Sequence, residues 1–349
     1  MTCGKLRGID TLDDVRSMRV PGGRLFSATH EEIVAGCTTD IYFVKTRDVL
    51  RRAGKLDAKV VAEVFARKKG LFAGLPEVLR LLDGRDVTVD SLSEGDAFDP
   101  REVVMRIAGP YSAFGMYETV LLGILASSCG WATAARECVD AAEGKPVLCF
   151  GARHVHPAIA PVMERTAVAV GKCAAASCIL GAKLAGTEPS GTVPHAAILI
   201  MGDTVELARV YDEVVPSEEP RIVLVDTFKD EAEESLRVAL ALGDSLSGVR
   251  LDTPGERGGV TVDLVREIRY RLDAAGFPHV QIIVSGGLNP DRIRILSAAG
   301  AASFGVGSYI SDATPIDMTM DLKVIDGRPI AKRGRLPGVL ASSRLHRVQ

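Results

Sequence analysis

Short apolar runs and amphipathic stretches alternate regularly through the chain beyond residue 145. The apolar runs predict strands at Pro146–Phe150, Ala174–Ser177, Gly191–Pro194, Arg221–Val225, Gly248–Leu251, Val280–Val284 and Ala302–Val306. The stretches between them predict helices at Ala158–Val170, Ile179–Ala185, from the third strand through Val210, and at Glu231–Leu242, Val262–Ala275 and Pro290–Ala299. Apolar strands separated by helices are typical of a parallel sheet covered by helices. Because no Gly-x-Gly-x-x-Gly follows the first strand, the pattern favours a closed, seven-stranded α/β barrel over an open dinucleotide-binding sheet.

The pattern before residue 145 is less regular and predicts a smaller domain that contains a sheet. The predicted elements are an extended segment around Ile41–Phe43, a helix over residues 57–80, strands at Val87–Val89 and Val103–Ile107, and helices at Met116–Ser127 and Ala134–Ala142. In the extended segment, Tyr42 lies on the face opposite Ile41 and Phe43. Gly109–Pro110 is the predicted boundary, since neither residue continues regular structure easily.

Composition mainly excludes classes of function. The 349 residues are 47% hydrophobic and 5% aromatic, and 35 are glycine, as in an α/β protein with an aliphatic core and many tight loops. The net charge of −3 provides no polybasic surface for nucleic acid. The chain does not open on a signal-like apolar run, and no apolar run approaches the ~18 residues of a membrane span, so we expect a cytoplasmic protein with no membrane partner. The seven cysteines form no Cys-x-x-Cys pair and indicate buried, reduced thiols.

Residues suited to catalysis or ligand binding concentrate where the predicted strands end. They are Arg153, His154, His156, His195, Asp226, Arg250, Asp252, Thr253, Ser285, Gly286, Gly287, Gly305, Gly307 and Ser308. Because the loops that follow the strands of an α/β barrel share one rim, we expect these residues to meet there. This concentration at one rim indicates an enzyme.

The last two of these loops have the features of phosphate-binding loops. Ser285-Gly286-Gly287 leads into a predicted helix, and Gly305 and Gly307 flank the end of the last strand, next to Ser308. Glycines let backbone N–H groups approach an anion, and a following helix N-terminus adds its dipole. The alternative is that these glycines only form tight turns; the neighbouring positions of the two loops at the rim favour phosphate.

Two further positions suggest chemistry. Arg250 and Asp252 lie two residues apart at the end of a strand, followed by Thr253, so the arginine and the carboxylate face the same way. They can grip a sugar phosphate, or they can form a buried salt bridge. His195 follows a Gly/Pro-rich turn at the start of a helix, where it can act as a nucleophile or general base. Taken alone, it can equally be a helix-end histidine bonded to backbone or water.

Taken together, these residues resemble the nicotinate phosphoribosyltransferase family in its short bacterial and archaeal form. The matching stretches, in family order, are Thr38–Tyr42, Phe150–Arg153, Gly191–His195, Val225–Thr227, Arg250–Thr253, Ser285–Leu288 and Gly305–Tyr309. The resemblance implies a type II phosphoribosyltransferase fold. An N-terminal open-faced α+β sandwich over residues 1–110 would be joined by the C-terminal segment 318–349, and the seven-stranded α/β barrel would span residues 111–317.

The resemblance also implies an activity. Nicotinate and phosphoribosyl pyrophosphate (PRPP) would give nicotinate mononucleotide and pyrophosphate in NAD biosynthesis, coupled to ATP hydrolysis through a phosphohistidine and accompanied by Mg²⁺. By resemblance His195 is the phosphorylated histidine and Asp226 the carboxylate beside it. Arg153 would bind the nicotinate carboxylate, and Phe150 would stack on the ring. Tyr42 would reach in from a neighbouring subunit, so the implied assembly is a homodimer or higher homo-oligomer with shared sites.

Three alternatives stay open. Quinolinate phosphoribosyltransferase shares the fold but takes a dicarboxylate, which would need additional cations around the ring and no phosphohistidine. Nicotinamide as substrate would need an acidic acceptor for its amide. A barrel that binds a phosphate ligand without catalysis is the third alternative, against which the full set of reactive residues argues.

Overall fold

The structure is a computed structural model that describes residues 8–20 and 22–349; Cys3, one of the seven cysteines, lies outside them. The α-helices are α1 (Leu12–Ser17), α2 (His30–Val34), α3 (Ile41–Arg52), α4 (Leu75–Leu82), α5 (Tyr111–Phe114), α6 (Glu118–Ala141), α7 (Ala160–Ala169), α8 (Ile179–Leu184), α9 (His195–Met201), α10 (Thr204–Val214), α11 (Glu231–Leu242), α12 (Val262–Ala274), α13 (Pro290–Ala299) and α14 (Ser308–Ser311). The strands are β1 (Lys59–Ala66), β2 (Gly70–Leu71), β3 (Thr88–Ser91), β4 (Ala97–Phe98), β5 (Val103–Pro110), β6 (Val147–Cys149), β7 (Ala175–Ala176), β8 (Arg221–Leu224), β9 (Leu246–Leu251), β10 (Gln281–Ser285), β11 (Ser303–Val306), β12 (Met318–Ile325), β13 (Arg328–Pro329) and β14 (His346–Arg347). Short 3₁₀ turns lie at Gly115–Tyr117, Ala152–His154, Gly243–Ser245 and Gly255–Arg257.

The chain forms two compact units. The first runs to Ala132 and takes in Thr314–Gln349, and the second is Thr133–Ala313. The boundary predicted at residue 110 lies upstream of this division. The reason is that α5 and the first half of α6 contribute buried side chains, among them Phe114, Leu121 and Leu125, to the core of the first unit.

The first unit is built on an antiparallel sheet with the strand order β13-β12-β1-β5-β3-β14. The C-terminal segment supplies β12, which pairs with β1, and β14, which pairs with β3. The prediction that the C-terminal segment completes the N-terminal sandwich is therefore confirmed. Helix α4 supplies Leu75, Val78, Leu81 and Leu82 to the same core.

Three local predictions in this unit are wrong. The predicted helix over residues 57–80 is instead strand β1, strand β2 and the first part of helix α4. In β1, Val60, Ala62, Val64 and Ala66 are buried at every second position. The expected strand around Ile41–Phe43 is the first turn of helix α3. The two helices expected between residues 116 and 142 are one continuous helix, α6. The helical stretch Tyr111–Ala141 is also long and apolar enough to pass a length-and-composition test for a membrane span, contrary to expectation, and half of its most apolar window is buried inside the structure.

The second unit contains a parallel sheet with the strand order β7-β6-β11-β10-β9-β8, with helices between successive strands. The first and last strands of this unit, β6 and β11, pair with each other, so the sheet curls like a barrel. The predicted α/β fold class is confirmed, but the sheet has six strands instead of seven. Residues 191–194, which the structure describes, are not part of a strand. A reason is that Pro194 has no N–H to donate to a ladder.

Candidate active site

Arg250, at the end of β9, is the centre of a hydrogen-bonded group at the rim of the curled sheet. Its Nε donates to Ser285 Oγ at 2.8 Å, and Nη1 donates to Thr192 Oγ1 at 2.8 Å. Nη2 lies 3.8 Å from Asp252 Oδ2, and Ser285 Oγ donates to Asp252 Oδ1 at 2.7 Å. The same-face prediction for Arg250 and Asp252 agrees with this geometry. Ser285, a predicted phosphate ligand, links the two side chains.

An aromatic face lies beside this group. The guanidinium carbon of Arg250 is 5.1 Å from the centroid of the Phe150 ring. A Cβ at Gly305 would lie 2.5 Å from that ring, so only glycine leaves the ring its place. A Cβ at Gly307 would lie 2.9 Å from His154 Nε2 and 3.1 Å from the Phe150 carbonyl oxygen. These two glycines are therefore needed for close packing of the loop after β6, a role that the sequence reasoning did not anticipate.

The loop after β10 has an unusual backbone next to Asp252. Gly286 has φ +86°, and a Cβ there would lie 3.1 Å from Asp252 Oδ1. Gly287 follows with φ +58° and has open space around it. Asn289 then caps α13, with its side chain accepting a hydrogen bond from the Arg292 N–H. This glycine turn in front of a capped helix has the form expected of a phosphate-binding loop.

His195 and Asp226 form a pair at the same rim. His195 is the first residue of α9 and Asp226 follows β8, and His195 Nε2 lies 3.1 Å from both carboxylate oxygens. The side chain of Asp226 is 2% exposed and that of His195 37% exposed. Burial raises the pKa of Asp226, His195 opposes that rise, and the nearby charge of Asp252 adds to it. The predicted neighbours are thus in contact.

Arg153 lies in the 3₁₀ turn after β6 and is exposed, without an ion-pair partner among residues 8–20 and 22–349. Its charge reaches Arg250: the pKa of Arg250 is lowered, chiefly by burial and partly by Arg153, against the opposing effect of Asp252 and Asp226. Arg250 therefore lies over the Phe150 ring, and Arg153 is close enough to influence Arg250 electrostatically.

Some predicted residues have other surroundings. The Thr253 hydroxyl is buried and donates to Glu231 Oε1 at 2.8 Å, so it fixes its own loop. Ser308 begins the four-residue helix α14. Tyr42 belongs to the first unit, in helix α3, where its ring centroid is 4.2 Å from that of Phe43 and the side chain is exposed. Burial and the acidic side chains of Glu118 and Asp40 raise the pKa of Tyr42, while Thr119 lowers it.

The part of the chain that the structure describes has no group of three or more His, Cys, Asp or Glu side chains arranged to hold a metal ion. The carboxylates of Asp226 and Asp252 are close enough to influence each other. Mg²⁺ commonly uses one or two carboxylates together with substrate phosphates, and this pair fits that arrangement.

Sequence reasoning missed three residues that hold the rim together: Thr192, Glu164 and Glu231. Thr192 bonds to Arg250, Glu164 to the loops after β6 and β7, and Glu231 to Thr253. Thr192 lies inside a stretch that had been singled out for His195. The signal for Glu164 was a charged residue on the otherwise apolar face of its helix.

A curled parallel α/β sheet with a cationic, glycine-rich rim, attached to an antiparallel sheet domain, defines a barrel-type phosphoribosyltransferase. Two family patterns match the chain: "Quinolinate phosphoribosyl transferase, N-terminal domain" over residues 40–129 and "Quinolinate phosphoribosyl transferase, C-terminal domain" over residues 131–321. The chain belongs to the quinolinate phosphoribosyl transferase family, and it is thus a transferase of pyridine nucleotide biosynthesis.

The chain is also similar to known proteins named for either of the two activities. The crystal structure of nicotinate-nucleotide pyrophosphorylase from Pyrococcus furiosus is 43% identical, with a TM-score of 0.86, over 90% of this chain and 82% of that chain. A nicotinate phosphoribosyltransferase of Mycobacterium tuberculosis is 28% identical over 86% of this chain and 75% of the relative. A probable nicotinate-nucleotide pyrophosphorylase (carboxylating) of Methanothermobacter thermautotrophicus is 22% identical over 76% and 89%.

These findings correct the expected identity. The resemblance to nicotinate phosphoribosyltransferase led to a prediction of ATP-coupled transfer to nicotinate, with His195 as a phosphohistidine and ATP as co-substrate. Both domain matches and the structure at 43% identity indicate quinolinate phosphoribosyltransferase instead, which uses no ATP. The error arose because the matched motifs describe a phosphoribosyl site that both families share.

Proposed function

We propose that this protein is a quinolinate phosphoribosyltransferase, also called nicotinate-nucleotide pyrophosphorylase. Quinolinate is pyridine-2,3-dicarboxylate. Its ring nitrogen displaces pyrophosphate from C1 of PRPP, and the 2-carboxylate leaves as CO₂. The electron pair left at ring carbon C2 takes up one proton, giving nicotinate mononucleotide. The balance is one quinolinate, one PRPP and one proton in, and one nucleotide, one pyrophosphate and one CO₂ out.

The observation that carries the proposal is the presence of two neighbouring arginines at this part of the rim, one of which lies over the Phe150 ring. A flat dicarboxylate needs an aromatic or apolar face and more than one cation. Phe150 offers the face, Arg250 lies 5.1 Å above it, and Arg153 is a second cation without a partner among the described residues. Arg250 is bonded on two sides by Ser285 and Thr192, so its orientation is set before a substrate arrives.

The remaining rim residues fit the PRPP half of the reaction. The Ser285–Gly287 turn and the capped start of α13 suit a phosphate, and Asp252, which follows β9, stands next to that turn. Departure of pyrophosphate leaves positive charge on the ribose, which nearby carboxylates stabilise. His195, paired with Asp226, adds a positive charge for the leaving group when its ring is protonated. Asp226 and Asp252 are the carboxylates that would hold Mg²⁺, which would supply positive charge to offset that of the leaving group.

We also propose a homo-oligomer in the cytoplasm. Helices α8 and α9 leave large apolar side chains exposed, namely Ile179, Leu180, Leu184, Leu199 and Ile200. Exposed apolar surface of this kind is typical of protein interfaces. The described cysteines are free thiols, as in a reducing compartment. In this homo-oligomer, Tyr42 of a second copy would contribute to the site.

The test is an incubation with PRPP, Mg²⁺ and quinolinate, with release of both pyrophosphate and CO₂ followed. We expect the two products in equal amounts, at a rate that ATP does not change. Nicotinate is the matched control substrate because it lacks the 2-carboxylate. Transfer to nicotinate without transfer to quinolinate, or a requirement for ATP, would contradict the proposal.

A further inference from the structure

Glu164 is a fully buried carboxylate in the second unit, with 0% of the residue exposed. It lies on the inner face of helix α7, where its neighbours Ala160, Met163 and Ala167 are apolar and buried. Burying a carboxylate costs free energy unless several hydrogen bonds compensate for the lost water. The contacts of Glu164 therefore indicate what the side chain stabilises.

Those contacts join two loops of the rim. Oε1 accepts hydrogen bonds from the Ala152 N–H at 2.9 Å and from Ser177 Oγ at 2.9 Å, and Oε2 accepts one from the Cys178 N–H at 2.5 Å. Ala152 directly precedes Arg153 in the 3₁₀ turn after β6, whereas Ser177 and Cys178 follow β7. One side chain thus binds the backbone of the turn that bears Arg153 and the backbone of the neighbouring loop.

The packing of α8 on α7 supports this arrangement. A Cβ at Gly181 would lie 3.1 Å from Glu164 Cβ and 3.2 Å from the Pro161 carbonyl oxygen. The absence of that Cβ lets α8 approach α7 closely, and Cys178 at the start of α8 then comes within reach of the carboxylate. The sequence therefore provides both the acceptor and the close approach that the acceptor needs.

We propose that Glu164 is a positioning residue for the pyridine substrate: it holds the turn after β6 so that Arg153 presents its guanidinium to a substrate carboxylate. The proposal rests on the proposed function for the identity of that substrate, but not for the contacts themselves. Arg153 has no ion-pair partner among the described residues, so its position depends on its backbone. Glu164 fixes that backbone one residue away.

Glu164→Gln is the informative substitution because it conserves size but removes one acceptor. Wherever the new NH₂ group lies, it faces a backbone N–H, either that of Ala152 or that of Cys178. One of the two loops therefore loses its bond. Glu164→Asp keeps the charge but is one methylene shorter, so it cannot reach both loops; it serves as the second variant if Glu164→Gln does not fold.

The first measurement is amide hydrogen exchange in the full-length protein. In Glu164→Gln the amides of Ala152 or Cys178 should exchange faster, since each is protected by the carboxylate. The second measurement is steady-state kinetics with quinolinate. Because Arg153 would bind the carboxylate equally in the ground and transition states, KM for quinolinate should rise about tenfold or more, while kcat and the KM for PRPP change by less than about threefold.

Glu234→Gln is the matched control. Glu234 is also a fully buried glutamate, but it pairs with Arg237, and both residues lie in helix α11. It should leave KM for quinolinate and the exchange of Ala152 and Cys178 unchanged. Equal rises in both KM values for Glu164→Gln, or unchanged exchange at both amides, would overturn the proposal. If the unmodified protein does not use quinolinate, the proposed function fails, and the exchange measurement still decides whether Glu164 holds the two loops.

Discussion

His195 Nε2 lies 3.1 Å from each carboxylate oxygen of Asp226, although the two residues are 31 positions apart in the chain. The buried partner is the acid and the more exposed partner is the base. A carboxylate in this position orients the imidazole and stabilises positive charge on it whenever the ring is protonated, and the pair lies at the rim where an anionic leaving group would be held. The pair therefore connects a buried carboxylate to the chemistry of pyrophosphate release.

Asp226→Asn should lower kcat/KM about tenfold or more, since an amide cannot stabilise the imidazolium. Burial raises the pKa of Asp226 above its ordinary 3.8, so activity that needs the ionised carboxylate should fall on the acid side at a pH above that value. This acid limb should disappear in Asp226→Asn. The pH profile of kcat/KM checks it, and a double-mutant cycle with His195→Gln should show strong non-additivity. Additive losses would mean that the pair does not act as a unit.

Glu118→Gln should change how stability depends on pH. Burial, together with the charge of Asp321, raises the pKa of Glu118 from 4.5 to about 7. Because the pKa of Glu118 is raised in the folded state, the contribution of this side chain to stability is fully present below pH 4.5 and is lost as the pH rises through 7. Because solvent screens a half-buried group, we expect Glu118 to account for a loss of about 1–2 kcal/mol. Urea unfolding at pH 5 and pH 8 should show a smaller difference in Glu118→Gln than in the unmodified protein; an equal difference would contradict the prediction.

The α/β class could be predicted because apolar strands alternating with helices form a local, repeated signal. Strand β1 could not be predicted, because the spacing of Val61, Val64 and Phe65 fits one face of a helix. What decides is that Lys59–Ala66 pairs on one side with β5 and on the other with β12, which lies far away in sequence. Long-range pairing of this kind leaves no local pattern. Conversely, the sequence of Gly191–Pro194 predicted a strand, but these residues pair with no other strand of the sheet.

The site shows the same division. The positions of Arg250, Asp252, His195 and Asp226 followed from the rule that strand ends meet at one rim. The residues that orient them, such as Thr192 and Glu164, could not be found that way because their bonds cross between different loops and helices. The prediction of the substrate was wrong for a further reason. Most of the matched motifs belong to the phosphoribosyl part of the site, whereas recognition of the pyridine depends on a few cations.

Arg153→Ala should weaken binding of the pyridine acid. A charge-assisted pair with a carboxylate is worth about 2–3 kcal/mol, so KM for quinolinate should rise roughly 30- to 150-fold. Arg153→Lys keeps the charge but not the bidentate geometry and should show a smaller rise. Steady-state kinetics with quinolinate and with PRPP varied separately provides the measurement. An unchanged KM for quinolinate in Arg153→Ala would remove Arg153 from the pyridine site.

Gly286→Ala should weaken PRPP binding more than Gly287→Ala does. Both positions have positive φ, +86° and +58°, so both variants bear a backbone cost of about 1 kcal/mol. They differ in their surroundings, because a Cβ at Gly286 would lie 3.1 Å from Asp252 Oδ1, whereas a Cβ at Gly287 would meet no atom within 4 Å. Asp252 accepts a hydrogen bond from the Ser285 hydroxyl and lies beside Arg250, so displacing Asp252 should also disturb the positions of Ser285 and Arg250. Calorimetric titration with PRPP and Mg²⁺ should show at least about tenfold weaker binding for Gly286→Ala than for Gly287→Ala. Equal affinities, with equal unfolding midpoints, would mean that the turn after β10 does not bind the phosphate.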